Sequence, residues 1–286
     1  MPNPVLEPGF HALSEEEYHG DPAPQPSLSC SLAKVLIDQS PKHAFYQHPR
    51  LGAIPSEKDT ASMDYGALGH ALILGKGAQS LIGDFKDWRM KEAKEFREAA
   101  RNSGLIPVLK DTMERAKEMA GAALQQIIAF GYGDAFRTAD KEVSVLWKDD
   151  GYWMRSKLDA INRAGTVNIF DLKITARAAP SVIERQIGAM NYDMQEAFYR
   201  HGVAAVLPDM VGRIRFTFFF IEAQMPFSVV PVELSAEFQA LGEMKFQRAL
   251  GIWRTCILTN QWPSYVRQAF RPFPKPWDMQ REQDSI

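Results

Sequence analysis

The sequence lacks several features that identify whole classes of protein. It contains only two cysteines among 286 residues, Cys30 and Cys256. Two are too few for a four-cysteine zinc or iron–sulfur site, and they indicate reduced thiols. No run of about 18 apolar residues is present, so no membrane-spanning helix is expected. The pattern GxxxxGK[ST] is also missing, which excludes an ATP-driven motor of that class.

The charge balance is nearly neutral and indicates little about partners. The net charge is −2, which does not point to a polyanionic partner but leaves room for a local basic patch. The N-terminal segment is acidic and has no apolar core of the kind found in secretory signals. Together with the reduced thiols, this segment leads us to expect a cytoplasmic protein.

The chain is expected to form one α/β domain with a helical N-terminal part. Apolar side chains make up 45% of the residues and charged ones 24%, as in ordinary globular proteins. We predict three parts: an extended, proline-rich N-terminal arm over residues 1–26, a single domain over 27–266, and an irregular C-terminal tail over 267–286.

Hydrophobic periodicity places helices before and between two groups of strands. Helices are predicted over the run SLSCSLAKVLIDQSP and over residues 61–80, 84–101 and 109–130. Three β-rich runs follow in EVSVLWKDDGYWMRSKLDAINRAGTVNIFDLKIT, and two more in VGRIRFTFFFIEAQMPFSVVPVEL. Helical spacing returns over 180–204 and after Ser235, which can cap the last helix. The aromatic run FTFFF favours a buried central strand over a base-stacking surface.

Three charged side chains lie in segments that otherwise read as strand interior. The stretch SKLDAINRAGTVNIFDLKITA contains Asp159, Asp171 and Lys173. If NRAGT is a turn, the two runs pair as antiparallel strands, and Asp171 and Lys173 project from the same face. Two carboxylates held close together repel unless a positive charge intervenes, and such oxygen ligands suit Mg²⁺ or Mn²⁺. The pattern suggests metal-assisted phosphodiester hydrolysis, whereas the simpler alternative is a surface hairpin with an ordinary salt bridge.

Two further segments could complete such a site. His70 lies on the apolar helix predicted over 61–80, where it is either a core residue or a nitrogen ligand to the metal. Gln195 and Tyr199 are four residues apart and share one helix face directly after the strand that holds Lys173. Gln195 could hydrogen-bond a ligand or a phosphate, and Tyr199 could do the same or only pack.

The order of these residues resembles that of the RecB-like branch of the PD-(D/E)XK nucleases. That order is a histidine, an aspartate, the D-x-K pair and Q-x-x-x-Y. Within the branch, the chain is similar to the RecE-type phage exonucleases over residues 17–265. The similar segments are YHGDPAPQPSLSCSLAKVLIDQSPKHAFY, GHALILG, KEVSVLWKDDGYWMRSKLDAI and DLKIT. Two minor departures are Asp171, where the superfamily often has Glu, and Leu158, where the motif often has Pro.

The resemblance implies a fold and a set of site residues. The fold is a PD-(D/E)XK nuclease core, with a central mixed β-sheet flanked by helices. By the family's pattern, the ligands of a two-metal site are the side chains of three residues and one carbonyl oxygen: His70, Asp159, Asp171 and the Leu172 carbonyl. Lys173 would act as the catalytic lysine beside the two aspartates, with Gln195 and Tyr199 as supporting catalytic residues.

The resemblance also implies an activity and its partners. The activity is a Mg²⁺-dependent exonuclease, with Mn²⁺ as a substitute, which digests duplex DNA ends 5′→3′ and leaves single-stranded 3′ tails for phage-type recombination. The implied partners are duplex DNA ends, a single-strand annealing protein and further copies of the chain in a ring trimer or tetramer, without a membrane. The implied setting is the cytoplasm of a bacterial host, with the gene carried by a phage or prophage.

Two other functions remain open at the level of the sequence. One is a structure-specific endonuclease or nickase that uses the same chemistry, and the other is a non-catalytic DNA-binding protein on a nuclease fold. Further polar residues have open roles. Glu142 lies near the metal or at a strand edge, and Arg155 lies at a phosphate, in a salt bridge to Glu142 or in an exposed position. Arg177 and Arg185 could contact the DNA backbone.

Overall fold

The computed structural model of the chain describes residues 5–54, 61–266 and 268–285. These residues form the strands β1 (Gly9–His11), β2 (Leu28–Ser29), β3 (Ser80–Gly83), β4 (Ile106–Leu109), β5 (Asp140–Asp149), β6 (Tyr152–Asn162), β7 (Val167–Thr175), β8 (Ile214–Glu222) and β9 (Val229–Val232). The helices are α1 (Glu15–His19), α2 (Cys30–Asp38), α3 (Pro41–Gln47), α4 (Ala61–Leu74), α5 (Lys91–Asn102), α6 (Lys110–Ala129), α7 (Gly133–Arg137), α8 (Pro180–Ala189), α9 (Tyr192–Val206), α10 (Ala236–Thr259) and α11 (Pro276–Gln283).

The central sheet is mixed, as the resemblance implies. Its strands run in the order β1-β5-β6-β7-β8-β9, and β2 lies beside β6. The pairs β1–β5, β5–β6, β6–β7 and β8–β9 are antiparallel, whereas β2–β6 and β7–β8 are parallel. A separate pair of parallel strands, β3 and β4, lies outside this sheet. Because helices cover both faces, the predicted fold class is confirmed.

The two faces of the sheet have separate hydrophobic cores. One core joins the sheet to α2, α9 and α10 and contains Phe216, Phe218 and Phe220. The other joins it to α4, α6 and α7 and contains Phe219. This alternation is that of a strand covered on both sides, so the aromatic run in β8 is buried, as predicted.

A gap between β6 and β7 interrupts the sheet. The two strands pair only from Ala160↔Phe170 to Asn162↔Asn168, and β7 then continues beside β8 alone. At the other end of β6, Met154 and Arg155 pair with β2. The residues of β6 between these two pairings therefore border an opening in the sheet, and Asp159 is one of them.

The chain departs from the predicted elements mainly near its ends. An extended arm was expected over 1–26, but β1 pairs with β5 and the capping box of Ser14 and Glu17 starts α1. The expected irregular tail contains α11, which begins with a proline in its first turn. The helix expected over 84–101 begins only at Lys91. The preceding loop instead packs its aromatic rings against Phe96.

In the part of the chain that the structure describes, no helix is both long and apolar enough to cross a membrane.

Candidate active site

Asp159 lies at the gap in the sheet and contacts β7 through its side chain. Its Oδ2 accepts a hydrogen bond of 2.7 Å from the backbone N–H of Leu172. This bond replaces a backbone pair where β7 leaves β6, so the carboxylate is fixed between the two strands. The predicted antiparallel pairing of the two segments is confirmed from Ala160↔Phe170 to Asn162↔Asn168. At Asp159 a side chain makes the contact instead of the ladder.

Asp171, Lys173 and Gln195 form one polar cluster on the α9 face of the sheet. Phe170 and Leu172 point into the core on the α4 side, so Asp171 and Lys173 project from the opposite face. Lys173 forms an ion pair with Asp171 Oδ1. Gln195 donates from its Nε2 to Asp171 Oδ2 at 2.6 Å. Both oxygens of a carboxyl group that is 3% exposed therefore have partners.

His70 reaches the same gap from the other layer of helices. Its Nδ1 lies 3.5 Å from Asp159 Oδ2. The helix α4 comes close to β7 because Gly69 has no side chain: a Cβ there would lie 2.3 Å from Ile174 Cδ1 and 2.7 Å from Met119 Cε. The site thus combines α4 on one face of the sheet with α9 on the other.

The charges of the cluster shift the pKa values of its members. Burial, with the neighbouring charge of Asp171, raises the pKa of Asp159 to about 6, although His70 and Lys173 oppose the shift. Burial alone would lower the pKa of Lys173, but the carboxylates of Asp171 and Asp159 outweigh it, and the pKa lies above its ordinary value. In this arrangement Lys173 is an ammonium ion, and Asp159 is a carboxylate that a further cation would stabilise.

Lys34 belongs to the site but was not foreseen. Its Nζ donates to Gln195 Oε1 at 3.1 Å and lies 5.0 Å from the centre of the Tyr192 ring. Lys173 contacts the same two groups, at 3.4 Å and 4.6 Å. Lys34 lies on α2, 161 residues before Gln195. No local sequence pattern could link a lysine of a helix to a site so distant in sequence.

Tyr199 is close to the site but packs rather than bonds to it. Its ring lies 6.1 Å from that of Phe216. Its pKa is raised well above the usual range, mainly by burial, with smaller contributions from neighbouring acidic groups that include Asp171 and Asp159. Of the two roles left open for Tyr199, packing is the one for which the described residues provide a contact, and its part in the site stays a prediction.

Arg155 is not available to a phosphate. It is 3% exposed, its guanidinium lies 3.1 Å from Asp21 Oδ1, and it donates to the carbonyl oxygen of Ser27 at 2.7 Å. His48, with no exposed surface, also lies 3.2 Å from Asp21. The suggested phosphate contact, the suggested pair with Glu142 and the suggested exposed position are all wrong, because the arginine belongs to a buried network that ties the N-terminal segment to β6.

Glu142 lies opposite Asp159 in the register of β5 and β6. The pairs Lys141↔Ala160 and Val143↔Leu158 flank it, and its φ of 54° interrupts the ladder. Its carboxylate forms an ion pair of 2.6 Å with Lys157. Glu142 therefore lies near the site and shares the ammonium group of Lys157 with Glu15, whereas Arg177 and Arg185 are exposed on the surface.

The donor set fits a divalent metal in its chemistry. Carboxylate oxygens and an imidazole nitrogen are suitable ligands for Mg²⁺ or Mn²⁺, and the half-buried carboxylate of Asp159 already lies 3.5 Å from His70 Nδ1. Among the described residues, however, no three His, Cys, Asp or Glu side chains converge as they stand on a point that could hold a metal ion. The reason is that Asp171 is turned towards Lys173 and Gln195, away from His70.

Comparison with protein families identifies the relatives of this chain. Residues 29–269 match the family described as a PDDEXK-like domain of unknown function (DUF3799). The chain belongs to this family. The PDDEXK-like family is part of the PD-(D/E)XK nuclease superfamily, so the broader part of the resemblance is confirmed. No curated protein matches the chain.

One solved structure shares the fold of this chain. A candidate exonuclease from Eubacterium rectale aligns with a TM-score of 0.57 and 16% identity, over 96% of this chain and 100% of its own. At that identity the likeness supports the fold alone. The structure of SSO0001 aligns with 15% identity over 66% of this chain and 86% of its own, but its TM-score of 0.27 supports no conclusion.

Proposed function

We propose that the protein is a metal-dependent DNA exonuclease. The observation that carries this proposal is the placement of Asp159, Asp171 and Lys173 at the gap in the sheet, where two carboxylates and one ammonium ion are held together. The membership in a PDDEXK-like family supports it. A surface hairpin with an ordinary salt bridge explains neither the burial of Asp171 nor the convergence of His70 and Gln195.

Four groups would hold the divalent metal: the His70 ring, the carboxylates of Asp159 and Asp171, and the carbonyl of Leu172. A bound Mg²⁺, or Mn²⁺ in its place, supplies a Lewis acid for the phosphodiester and lowers the pKa of a water molecule.

Lys173 would provide a fixed positive charge beside the phosphate that is cut. Because its pKa lies above the ordinary value, it acts as an ammonium ion that stabilises charge developing on the phosphate oxygens. Gln195 would orient Asp171 through its 2.6 Å hydrogen bond. Tyr199 would support Gln195 from the next turn of α9 by packing.

The finer parts of the proposal rest on the resemblance to RecE-type exonucleases. They are action on duplex DNA ends in the 5′→3′ direction, release of single-stranded 3′ tails for recombination, an annealing protein as partner, and a ring of three or four copies in the cytoplasm of a phage-infected or lysogenic bacterium. The description of the Eubacterium rectale protein as a candidate exonuclease is in line with action on ends.

A cleavage assay tests the activity and its direction. Linear duplex DNA labelled at the 5′ or the 3′ end, with and without a 5′ phosphate, is incubated with Mg²⁺ or with EDTA. We expect the label at the 5′ end to be released first, and only with the metal. Lys173→Ala should lower the rate by about 10²-fold or more while it keeps most DNA binding, because it removes transition-state stabilisation of several kcal/mol.

The matched control is Lys148→Ala, which removes an exposed lysine that lies over Trp153 and should leave the rate unchanged. A supercoiled plasmid separates the alternatives, since only an endonuclease or nickase cuts a closed circle. Cleavage by Lys173→Ala at the rate of the parent would rule out the mechanism, and the absence of any cleavage by the parent would favour a non-catalytic DNA-binding protein.

A further inference from the structure

Two ammonium groups share one acceptor in the candidate site. Lys34 and Lys173 both contact Gln195 Oε1, at 3.1 Å and 3.4 Å. Both also lie against the Tyr192 ring, at 5.0 Å and 4.6 Å from its centre. Because they converge on the same oxygen and the same ring, the two positive charges are close neighbours and repel each other.

Only one of these two lysines has a counter-charge at short range. Lys173 forms an ion pair with Asp171. In the described part of the chain, no carboxylate lies within ion-pair distance of Lys34. The acidic groups that act on it, Cys30, Asp171 and Asp38, do so only from farther away, and Lys173 opposes them. The Lys34 side chain is half-buried, with the neutral Gln195 amide as the polar contact of its ammonium group. A half-buried charge without an ion-pair partner favours an anion, and none of the described carboxylates fills this place.

The missing anion is not needed to hold Gln195 in place. The Gln195 amide is already fixed at both ends, because its Nε2 donates to Asp171 and its Oε1 accepts from Lys173. An ammonium group has three N–H donors, and Gln195 accepts only one from Lys34. The other N–H donors of Lys34 are therefore suited to a ligand with several acceptor oxygens and a negative charge.

We propose that Lys34 binds a phosphate group of the DNA strand that is cut. This inference rests on the proposed function and adds to it a second phosphate-binding lysine, which α2 brings to the site. The phosphate has two possible sources: the phosphodiester next to Lys173 or the terminal 5′ phosphate. Both present charged oxygens to an ammonium ion in the same way, and binding of either relieves the repulsion between Lys34 and Lys173.

The test measures coupling between one side chain and one phosphate. Binding of a hairpin duplex with one open end is followed by fluorescence anisotropy, with Ca²⁺ in place of Mg²⁺. The DNA series comprises a 5′-phosphorylated end, a 5′-hydroxyl end, and single neutral methylphosphonates at the first or second linkage. The proteins are the parent, Lys34→Met, Lys34→Gln, Lys34→Arg and Lys117→Met, which removes an exposed lysine from α6.

We expect Lys34→Met to weaken binding of the unmodified DNA by about tenfold or more. On the one DNA whose contacted phosphate is absent or neutral, the parent and Lys34→Met should bind alike. If the parent and Lys34→Met bind alike only on the 5′-hydroxyl end, Lys34 contacts the terminal phosphate. If they bind alike only on a DNA with a methylphosphonate, Lys34 contacts that internal phosphate. Lys34→Arg and Lys117→Met should both lose affinity when the contacted phosphate is absent or neutral, as the parent does. Lys34→Gln provides a second neutral variant if the methionine impairs folding.

The inference is overturned if both neutral variants bind unmodified DNA as the parent does, or lose the same factor on every DNA of the series. In that case, cleavage of linear DNA by the parent with Mg²⁺ leaves the proposed function standing and removes only the role of Lys34. A parent that neither binds nor cuts DNA ends overturns both proposals.

Discussion

Some charged residues of this protein are buried in ion-pair networks, and Arg155 shows how much one of them should contribute to the free energy of unfolding. Removal of one partner from a buried ion pair leaves the other uncompensated. Arg155→Met should lower the free energy of unfolding by about 3 kcal/mol, because Asp21 loses its 3.1 Å partner. Urea unfolding followed by tryptophan fluorescence measures this change. Arg185→Met, on the exposed face of α8, should change stability by less than about 0.5 kcal/mol.

Glu196 should make stability depend on pH. It is 1% exposed, and burial raises its pKa from 4.5 to about 7, although Arg200 and Gln239 oppose the shift. The folded protein therefore binds this proton more tightly than the unfolded chain. The resulting stabilisation is present below the unfolded pKa and is lost as the pH rises from about 4.5 to about 7.

The variant Glu196→Gln isolates this effect, because it has no group to titrate. Relative to the parent, it should gain about 2 kcal/mol of unfolding free energy between pH 5 and pH 8. Denaturant unfolding at the two pH values measures the difference. Glu184→Gln, on the exposed side of α8, should follow the parent at both values. A Glu196→Gln variant with the pH dependence of the parent would contradict the shift.

At the scale of single residues, the sequence predicts which side chains lie together where strand alternation or helix spacing places them on one face. Asp171 and Lys173 could be predicted to share a face because they are two apart on a strand. The place of Lys34 in the site could not be predicted, because its contact with Gln195 depends on how α2 packs against α9. The partner of Arg155 was also missed, since Asp21 lies in a segment that has few signals of regular structure.

At the scale of elements, glycines decide how closely two helices approach. A Cβ at Gly242 would lie 2.2 Å from the backbone oxygen of Asp193, where α10 crosses α9. Gly242→Ala should therefore separate these helices and lower the free energy of unfolding by about 2 kcal/mol or more. Gly251 lies on the same helix with open space around it. Gly251→Ala should instead stabilise the protein by about 0.5–1 kcal/mol.

Thermal and urea unfolding of the two alanine variants give the comparison. Both substitutions have the same effect on helix propensity, so the difference between them measures the close approach alone. Equal stabilities would show that α9 and α10 can separate without cost. Because α9 also carries Gln195, Gly242→Ala should reduce cleavage by more than Gly251→Ala does.

Long periodic elements could be predicted from the sequence, and short ones could not. The continuous run of aromatic and β-branched residues in β8 and the helical spacing of α10 lead to the observed elements. The strands β1 and β2 contain three and two residues, which is too short for any periodicity to appear. Their formation depends on edges that β5 and β6 provide, so tertiary pairing decides it.

At the scale of the whole molecule, the site exists because the sheet is open in one place. The gap between β6 and β7 lets His70 on one layer approach Asp159, while Gln195 on the other layer bonds to Asp171. The sequence predicted the strands and helices that meet there but not the gap, because separation of β6 from β7 depends on the insertion of β2 beside β6.

The C-terminal tail should contribute little to the stability of the molecule. Its helix α11 buries no residue, and Phe270 and Phe273 are 74% and 89% exposed. Deletion of 267–286 should therefore change the free energy of unfolding by less than about 0.5 kcal/mol. The predicted domain boundary at residue 266 rests on the same expectation, and urea unfolding of the shortened chain measures it.

A longer deletion provides the contrast. Removal of every residue after Gln261 also takes away Trp262, whose ring lies 5.5 Å from that of Trp253, and Pro263, whose carbonyl accepts from Lys42. Loss of this packing should cost about 2 kcal/mol or more. If the shorter deletion were equally destabilising, the tail would have to pack against the body of the protein or against another copy. A dependence of that loss on protein concentration would indicate the second copy.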